Sequence, residues 1–146
     1  MDIEGIPFHR LIGIRAPHPG EAAMVALDDA PGLKNHLGTV HASAQYALAE
    51  ACSGAVLLER LGDLAGAVTP VLRRGEVKCR RPARGTLYAS GSLAAGAETR
   101  ARSELAAKGR AMVEIPVMVM DSAQAVVLTA TLSWFLQRVE DSAEQS

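Results

Sequence analysis

Hydrophobic positions along the chain follow two periods, one typical of helices and one typical of strands. The helical signal is clearest from His41 to Leu61, which contains six alanines and no proline, with apolar side chains on nearly every side. A shorter surface helix is predicted from Glu98 to Lys108, where opposite charges recur four residues apart. Strict alternation predicts strands over Thr86 to Leu93 and Ala125 to Val139. Because a helix that is apolar on most sides needs cover on most sides, we expect the remaining elements to surround the first helix.

Other segments complete an α+β pattern. Strands are predicted for Glu21 to Asp29, Leu64 to Arg81 and Ala111 to Met120. The last of these is apolar on both faces, which predicts a central place in the sheet, and Pro116 predicts a bulge or an unpaired N–H within it. A short helix followed by an extended arm is expected within Ile3 to Ile14. This order of elements predicts an antiparallel sheet that covers one long helix.

Composition indicates a single domain with an aliphatic core. The chain has 146 residues, of which 49% are hydrophobic and 3% aromatic, so we expect one domain over 1–146, with an N-terminal arm at 1–19 and a frayed tail at 140–146. A net charge of −1 argues against a polycation that coats nucleic acid. The apolar stretches are too short to cross a membrane and no basic leader is visible, so a cytoplasmic location is expected. Cys52 and Cys79 are expected to be small buried side chains.

Several familiar chemistries have no motif here. The sequence lacks a G-x-S-x-G elbow, a G-x-G-x-x-G loop and a Walker lysine loop, which disfavours a serine hydrolase, a nicotinamide enzyme and a nucleotide triphosphatase. His36 and His41 have no third ligand in a suitable pattern, so no metal site is expected. Glu50 is the only charged residue between His41 and Glu59, and an isolated acid in a buried helix is costly unless it is paired or used.

A more specific signal lies just before the long helix. The segment Asn35 to Ala42 reads N-H-L-G-T-V-H-A and resembles the N-x-x-G-x-x-H-G signature of hotdog-fold acyl-CoA thioesterases of the phenylacetate-pathway type. Nine residues after the histidine, that family carries an acid on its central helix, and Glu50 stands at this spacing from His41. In the family the histidine is usually followed by Gly-Gly, whereas this chain has Ala42-Ser43, and the acid is often aspartate.

The resemblance continues through the following strands and covers about residues 20–138. Ala67-Val68-Thr69 is similar to the small-Val-Ser/Thr element of the family, and Pro82 to Gly85 resembles its Pro-Ala-x-x-Gly-like turn. The inserted helix that ends at Lys108-Gly109-Arg110 is similar to an uncharacterised bacterial branch of the superfamily. The resemblance therefore implies a hotdog fold, an antiparallel sheet wrapped around a long central helix, with a short inserted surface helix.

This resemblance also implies an activity and a set of catalytic residues. Glu50 would act on an acyl-CoA thioester as general base or nucleophile, and burial is expected to raise its pKa. Backbone N–H groups near Ala42, at the helix start beside His41, would hold the developing oxyanion. Asn35 would order the loop or hold water, and Thr69 would hydrogen-bond Glu50 or the water.

The spacing between the two main candidates adds a geometric constraint. Nine residues at about 100° each place His41 and Glu50 on opposite sides of a helix, so one subunit does not bring them together. By resemblance, hotdog proteins dimerise so that the helix start of one subunit faces the acid of its partner. We therefore expect a homodimer or a dimer of dimers. No cofactor is expected beyond the coenzyme A of the substrate.

Six basic residues and one acid lie between positions 73 and 84. Arg80, Arg81 and Arg84 are candidates for binding the phosphates of coenzyme A. A strand edge protected by charge explains the same residues equally well. Nucleic-acid binding comes third, because no aromatic residues are interleaved with the basic ones.

Structural roles remain open for the other candidates. Glu50 is also consistent with an acid paired to an arginine, and His41 with a helix-start residue that bonds the backbone. Asn35 is equally consistent with a turn residue, and Thr69 with ordinary strand composition. Two other functions stay open: a hotdog dehydratase or hydratase on acyl thioesters, and a non-catalytic acyl-CoA-binding protein, the latter because of Ala42-Ser43.

Overall fold

The computed structural model describes residues 2–139, and the expected tail at 140–146 lies outside the described residues. Within this range the chain forms three α-helices and six strands. In chain order they are α1 (Pro7–Ile12), β1 (Ile14–Arg15), β2 (Val25–Leu27), α2 (Ala42–Leu61), β3 (Val68–Cys79), β4 (Leu87–Gly91), α3 (Ala97–Lys108), β5 (Arg110–Met120) and β6 (Val126–Arg138). Single turns of 3₁₀-helix lie at Pro31–Leu33 and Gly62–Leu64.

The six strands form one antiparallel sheet that covers a single long helix. Their order across the sheet is β1-β2-β4-β5-β6-β3, so β1 and β3 are the two edges. Helix α2 packs against β2, β4, β5 and β6, and α3 packs against β5 and β6. This curled sheet around a central helix is the hotdog fold, and the predicted fold class is confirmed. Within the described residues, none of the helices combines the length and the apolar character that a membrane span requires.

Helix α2 begins and ends as its sequence predicts, and several of its buried side chains are small. The fully enclosed positions include Ala49, Ala51 and Cys52, which allow the sheet to approach closely. Ser53 is also buried, and it accepts a hydrogen bond from Trp134 Nε1 (2.9 Å) while its hydroxyl donates to the carbonyl oxygen of Glu50 (2.7 Å). The backbone of the turn that carries Glu50 is therefore tied to β6.

Strand β5 is central, as predicted, but its two faces differ. Its side chains alternate strictly between buried and exposed along Arg110–Met120, and Met112 and Met118 are each 41% exposed. Both faces carry apolar residues, yet only the inner face is buried, because the one central helix covers that side of the sheet. Of the two alternatives predicted at Pro116, the bulge is not found there, since Pro116 lies opposite Thr131 in continuous register and the irregularity in the β5–β6 pairing lies between Val119 and Met120. Pairing with β4 instead ends beside it, at Gly91 and Val117.

The N-terminal region is more closely integrated into the fold than the expected arm. The short helix is confirmed as α1, and the extended residues after it form β1, which pairs with β2. The strand expected at Glu21 to Asp29 is limited to β2. Cys52 is buried as expected, but Cys79 is exposed because it ends the edge strand β3.

The edge strand β3 crosses α2 at close range. Gly75 of β3 lies against the side chain of Tyr46, and a Cβ atom at position 75 would overlap the Tyr46 hydroxyl. A local irregularity in the pairing of β3 with β6 lies between Leu72 and Arg74, and the Arg73 guanidinium stacks 3.9 Å from the centre of the Phe135 ring.

Candidate functional site

Asn35 organises the loop that leads into α2. Its Oδ1 accepts hydrogen bonds from the backbone N–H groups of Leu37 (2.9 Å) and Thr39 (3.1 Å), and its Nδ2 donates to Thr39 Oγ1 (2.9 Å). Gly38 completes the turn with a φ of 74°, which glycine adopts at low cost. Of the two roles predicted for Asn35, ordering the loop is observed, and it is also the behaviour expected of a turn residue.

His41 is the N-cap of α2. Its Nδ1 accepts a hydrogen bond from the backbone N–H of Ser43 (3.0 Å), and its carbonyl oxygen accepts from Ala44 and Gln45. The structural interpretation of His41 as a helix-start residue is therefore confirmed. Because His41 occupies the Ser43 N–H, Ser43 is not a donor for a ligand here. The N–H of Ala42 makes no hydrogen bond within residues 2–139, so it is the free donor at this helix start.

Glu50 lies near the middle of α2 with a half-buried carboxyl group. Its side chain is 30% exposed, and burial raises its pKa above the usual range for a glutamate, as predicted. His9 opposes this rise, since its Nε2 lies 3.9 Å from Glu50 Oε2. Among the described residues no arginine or lysine pairs with Glu50, so the structural arginine pair considered above is not found.

Sequence reasoning did not identify His9. This residue of α1 is 4% exposed, and its Nδ1 lies 2.8 Å from the carbonyl oxygen of Ile3. The apolar neighbours Phe8 and Leu11 are instead 55% and 80% exposed. A hydrophobic pattern predicts the reverse arrangement for a short amphipathic helix, so the local sequence carries no signal for a buried histidine at this position.

Thr69 is separated from the other candidates within one chain. It lies exposed on β3, opposite Gln137, on the strand face away from Val68 and Leu72, which pack against the core. No hydrogen bond joins Thr69 to Glu50 in the part of the chain that the structure describes. Its role at a catalytic site stays a prediction.

The connection at residues 80–85, here named the basic turn, lies next to the start of α2. Arg80, Arg81 and Arg84 are all exposed. The turn that carries them is joined to the helix start by one backbone hydrogen bond, from the N–H of Val40 to the carbonyl oxygen of Ala83 (2.8 Å). The structure therefore brings the basic turn and the Asn35–Ala42 loop together, while Glu50 lies further along α2.

Comparison with known proteins identifies the family. Residues 7–136 match the family described as Domain of unknown function (DUF4442). No curated protein matches the sequence significantly. A Pseudomonas aeruginosa protein of unknown function, described as a probable thioesterase, superposes with a TM-score of 0.77 at 23% identity, over 94% of this chain and 91% of that chain.

Two further proteins share the fold. A Bacillus halodurans protein, solved with CoA, has a TM-score of 0.61 at 19% identity, over 77% of this chain and 69% of its own. Two mutants of a Staphylococcus aureus protein, one of them described as a thioesterase enzyme, have TM-scores of 0.66 and 0.68 at 12% and 11% identity. The superpositions include 89% and 90% of this chain, and 98% and 99% of the Staphylococcus aureus chains. At these identities the likeness shows a common hotdog fold.

Proposed function

This chain belongs to the DUF4442 family and has the hotdog fold of proteins described as thioesterases, and from this premise we propose that it hydrolyses acyl-CoA thioesters with Glu50 as the base. The observation that carries the proposal is the state of Glu50. A half-buried carboxyl with a raised pKa and no arginine or lysine beside it, among the described residues, accepts a proton more readily than an ordinary exposed glutamate and is suited to act as a base.

In the proposed reaction, Glu50 activates a water molecule that hydrolyses the thioester. The ionised Glu50 carboxylate takes a proton from a water molecule as the water oxygen attacks the thioester carbon. The carbonyl oxygen becomes an oxyanion, held by the free N–H of Ala42 at the positive end of the α2 dipole. When the C–S bond breaks, the coenzyme A thiolate leaves and recovers the proton from the Glu50 carboxyl group.

One chain does not hold both halves of this site. Nine residues separate His41 from Glu50, which is about 13.5 Å along the helix and half a turn around it. The oxyanion donor beside His41 therefore serves a second copy of Glu50. The outer edge of β3 supports a homodimer, because this twelve-residue strand pairs with β6 alone within residues 2–139 and a long unpaired edge favours association.

Two features of the relatives support the same residues and substrate class. In the Staphylococcus aureus mutants, alanine replaces a glutamine in one structure and, fifteen positions further along, a glutamate in the other. Asn35 and Glu50 are separated by the same fifteen positions. The Bacillus halodurans protein contains CoA, which supports coenzyme A as the carrier of the acyl group.

The principal test compares two glutamates of α2. Glu50→Gln removes the base with little change in volume, and we expect kcat/KM for an acyl-CoA panel to fall by about 10²- to 10⁴-fold. The matched control is Glu59→Gln, an exposed position on the same helix, which should retain wild-type turnover. The readout is release of free thiol, with circular dichroism to confirm that both variants fold.

Other outcomes would change the assignment. Undiminished hydrolysis by Glu50→Gln would remove Glu50 from the mechanism. Loss of an enoyl-CoA without thiol release would indicate a hydratase instead. The second candidate, a non-catalytic acyl-CoA-binding protein, is favoured by the single free N–H at the helix start, since His41 occupies the Ser43 N–H. Saturable binding with no turnover across the panel would establish that candidate.

We further propose that Arg81 and Arg84 bind coenzyme A phosphates beside the helix start. The double substitution R81E/R84E should raise KM for acyl-CoA by about tenfold, the effect expected when about 1.4 kcal/mol of charge-assisted binding is lost. KM for an acyl-pantetheine, which lacks the nucleotide phosphates, should not change. R100E/R110E reverses two other exposed arginines and serves as the control. An equal rise of KM for both substrates would refute phosphate binding at this turn.

A further inference from the structure

We propose that His9 is a positioning residue for Glu50, holding one carboxylate oxygen so that the other faces the substrate water. The proposal rests on the proposed role of Glu50 as the base. It goes beyond that role because it assigns a function to α1, a helix outside the residues that carry the thioesterase resemblance.

The imidazole of His9 is held by a hydrogen bond on the side of the ring that faces away from Glu50 Oε2. Its Nδ1 lies 2.8 Å from the carbonyl oxygen of Ile3, and because a carbonyl only accepts, Nδ1 carries the proton of this hydrogen bond. The His9 side chain is 6% exposed. Helix α1 ends one turn after His9, where the N–H of the C-cap residue Gly13 donates to the His9 carbonyl oxygen (2.9 Å) and Gly13 has a φ of 87°. A buried ring with one nitrogen already bonded has little freedom to rotate.

The second ring nitrogen faces the catalytic carboxyl. Nε2 lies 3.9 Å from Glu50 Oε2, within ion-pair range and longer than a direct hydrogen bond. Because a carboxylate only accepts, the proposal requires Nε2 to carry a proton as well when it holds the ionised Glu50. Such contacts in a free enzyme commonly shorten when substrate binds. Oε2 is the oxygen nearest His9, and the Glu50 side chain is still 30% exposed, so the carboxyl group stays accessible to water while one of its oxygens contacts the ring.

His9 is also the only ionisable neighbour that influences Glu50 in the described part of the chain. Desolvation raises the pKa of Glu50, and the charge and hydrogen bond of His9 lower it; α2 itself, α3 and the strands contribute no other charged or titratable group. The orientation and the protonation of Glu50 therefore depend on the same partner. The backbone of Glu50 is held separately, because the Ser53 hydroxyl donates a hydrogen bond to the Glu50 carbonyl oxygen.

Two substitutions separate positioning from mere anchoring of α1. His9→Asn places an amide nitrogen near the Nδ1 position, so it can keep the bond to Ile3 while losing the nitrogen that faces Glu50. His9→Gln does the opposite, because its amide nitrogen reaches the Nε2 position and the Ile3 bond is lost. We expect kcat of His9→Asn to fall at least about tenfold with KM within about twofold, since misplaced catalytic groups lose rate rather than binding.

The pH profile gives a second readout of the same pair. Without His9, the pKa of Glu50 rises, so the acid limb of the kcat profile of His9→Asn should move to higher pH. His9→Gln should retain kcat within about threefold, with a lower Tm. A purely structural His9 predicts the reverse: wild-type kcat and pH profile in His9→Asn, and a loss confined to His9→Gln. That result would overturn the proposal.

A measurement without turnover distinguishes failure of this inference from failure of the proposed function. In ¹⁵N NMR spectra of the full chain, the Nε2 resonance of His9 should shift between wild type and Glu50→Gln, while Nδ1 should change little. An unchanged Nε2 would show that the two groups do not interact and would refute the inference even in an active thioesterase. A shift in a protein that hydrolyses no thioester would support the contact and refute the proposed function instead.

Discussion

Two glutamates of this protein, Glu21 and Glu50, are held in opposite ways. Glu21 lies beside the β1–β2 edge and accepts two hydrogen bonds from the Arg15 guanidinium, Nη1 to Oε2 at 2.8 Å and Nη2 to Oε1 at 3.1 Å. Arg15 also binds Asp28, with Nε 2.9 Å from Oδ2. This pairing lowers the pKa of Glu21 to about 2. Glu50 has burial and a histidine 3.9 Å away, and its pKa is raised.

The difference shows how a structural acid is distinguished from a candidate catalytic one. Glu21 is charged at every physiological pH and its charge is neutralised by a fixed arginine, so it stabilises the fold and has little capacity to take up a proton. Glu50 is less stable when ionised, because burial desolvates its charge and no arginine or lysine among the described residues compensates for this. A group whose folded environment disfavours its charge costs stability and gains basicity, the combination expected at an active site.

The largest expected change in thermal stability comes from removing Arg15, the cation that Glu21 and Asp28 share. Arg15→Gln leaves the carboxylates of Glu21 and Asp28 near each other without a partner, and we expect Tm at pH 7 to fall by about 2 to 4 °C. Arg74→Gln is the control, because its pair with Glu76 is exposed on both sides and should contribute almost nothing. Thermal unfolding followed by circular dichroism measures both. Equal Tm values for the two variants would mean that the Arg15 cluster has no special structural role.

The same substitution has a defined pH dependence. Because the pKa of Glu21 is lowered from 4.5 to about 2 in the folded chain, the stabilisation by Arg15 is fully present above pH 4.5 and is lost as the pH falls toward 2. The deficit of Arg15→Gln should therefore shrink over this range. A deficit that is constant from pH 7 to pH 3 would point to lost packing of the arginine side chain.

Replacing Glu50 is expected to have a smaller effect on Tm, and to raise it rather than lower it. The raised pKa of Glu50 means that its protonated form is favoured by folding, so its contribution is present below pH 4.5 and is lost as the pH rises through the folded-state pKa. Glu50→Gln does not ionise, and its Tm should exceed that of wild type by about 1 to 3 °C at pH 8 and equal it at pH 4. A Tm below wild type at pH 8 would indicate that the carboxylate is a stabilising group like Glu21.

The central helix and its loop were largely predictable from the sequence. Alanine content and apolar cover on most sides predicted α2 over nearly its observed range, and the same reasoning predicted a raised pKa for Glu50. The spacing of Asn35 and His41 predicted that they lie at the helix start. Their individual hydrogen bonds were not predictable, because whether His41 caps the helix or faces a ligand depends on one side-chain rotamer.

Other features were decided by tertiary packing. His9 is buried between exposed apolar neighbours because docking against the rest of the fold, and not the local pattern, sets which side of α1 faces inward. The outer face of β5 is apolar at Met112 and Met118, yet none of the helices within residues 2–139 covers it. Thr69 and Glu50 both belong to the family resemblance in the sequence. Strand alternation nevertheless directs the Thr69 side chain away from the core.

The contact between Tyr46 and Gly75 has a consequence for how this sequence can evolve. A side chain at position 75 would require the Tyr46 ring to move, so the two positions are sterically coupled although 29 residues separate them. A larger residue in the edge strand is accommodated more easily once the ring has shifted or has been replaced by a smaller side chain. Since Tyr46 lies one turn before Glu50, the permitted order of substitutions in β3 is constrained by the helix that carries the proposed base.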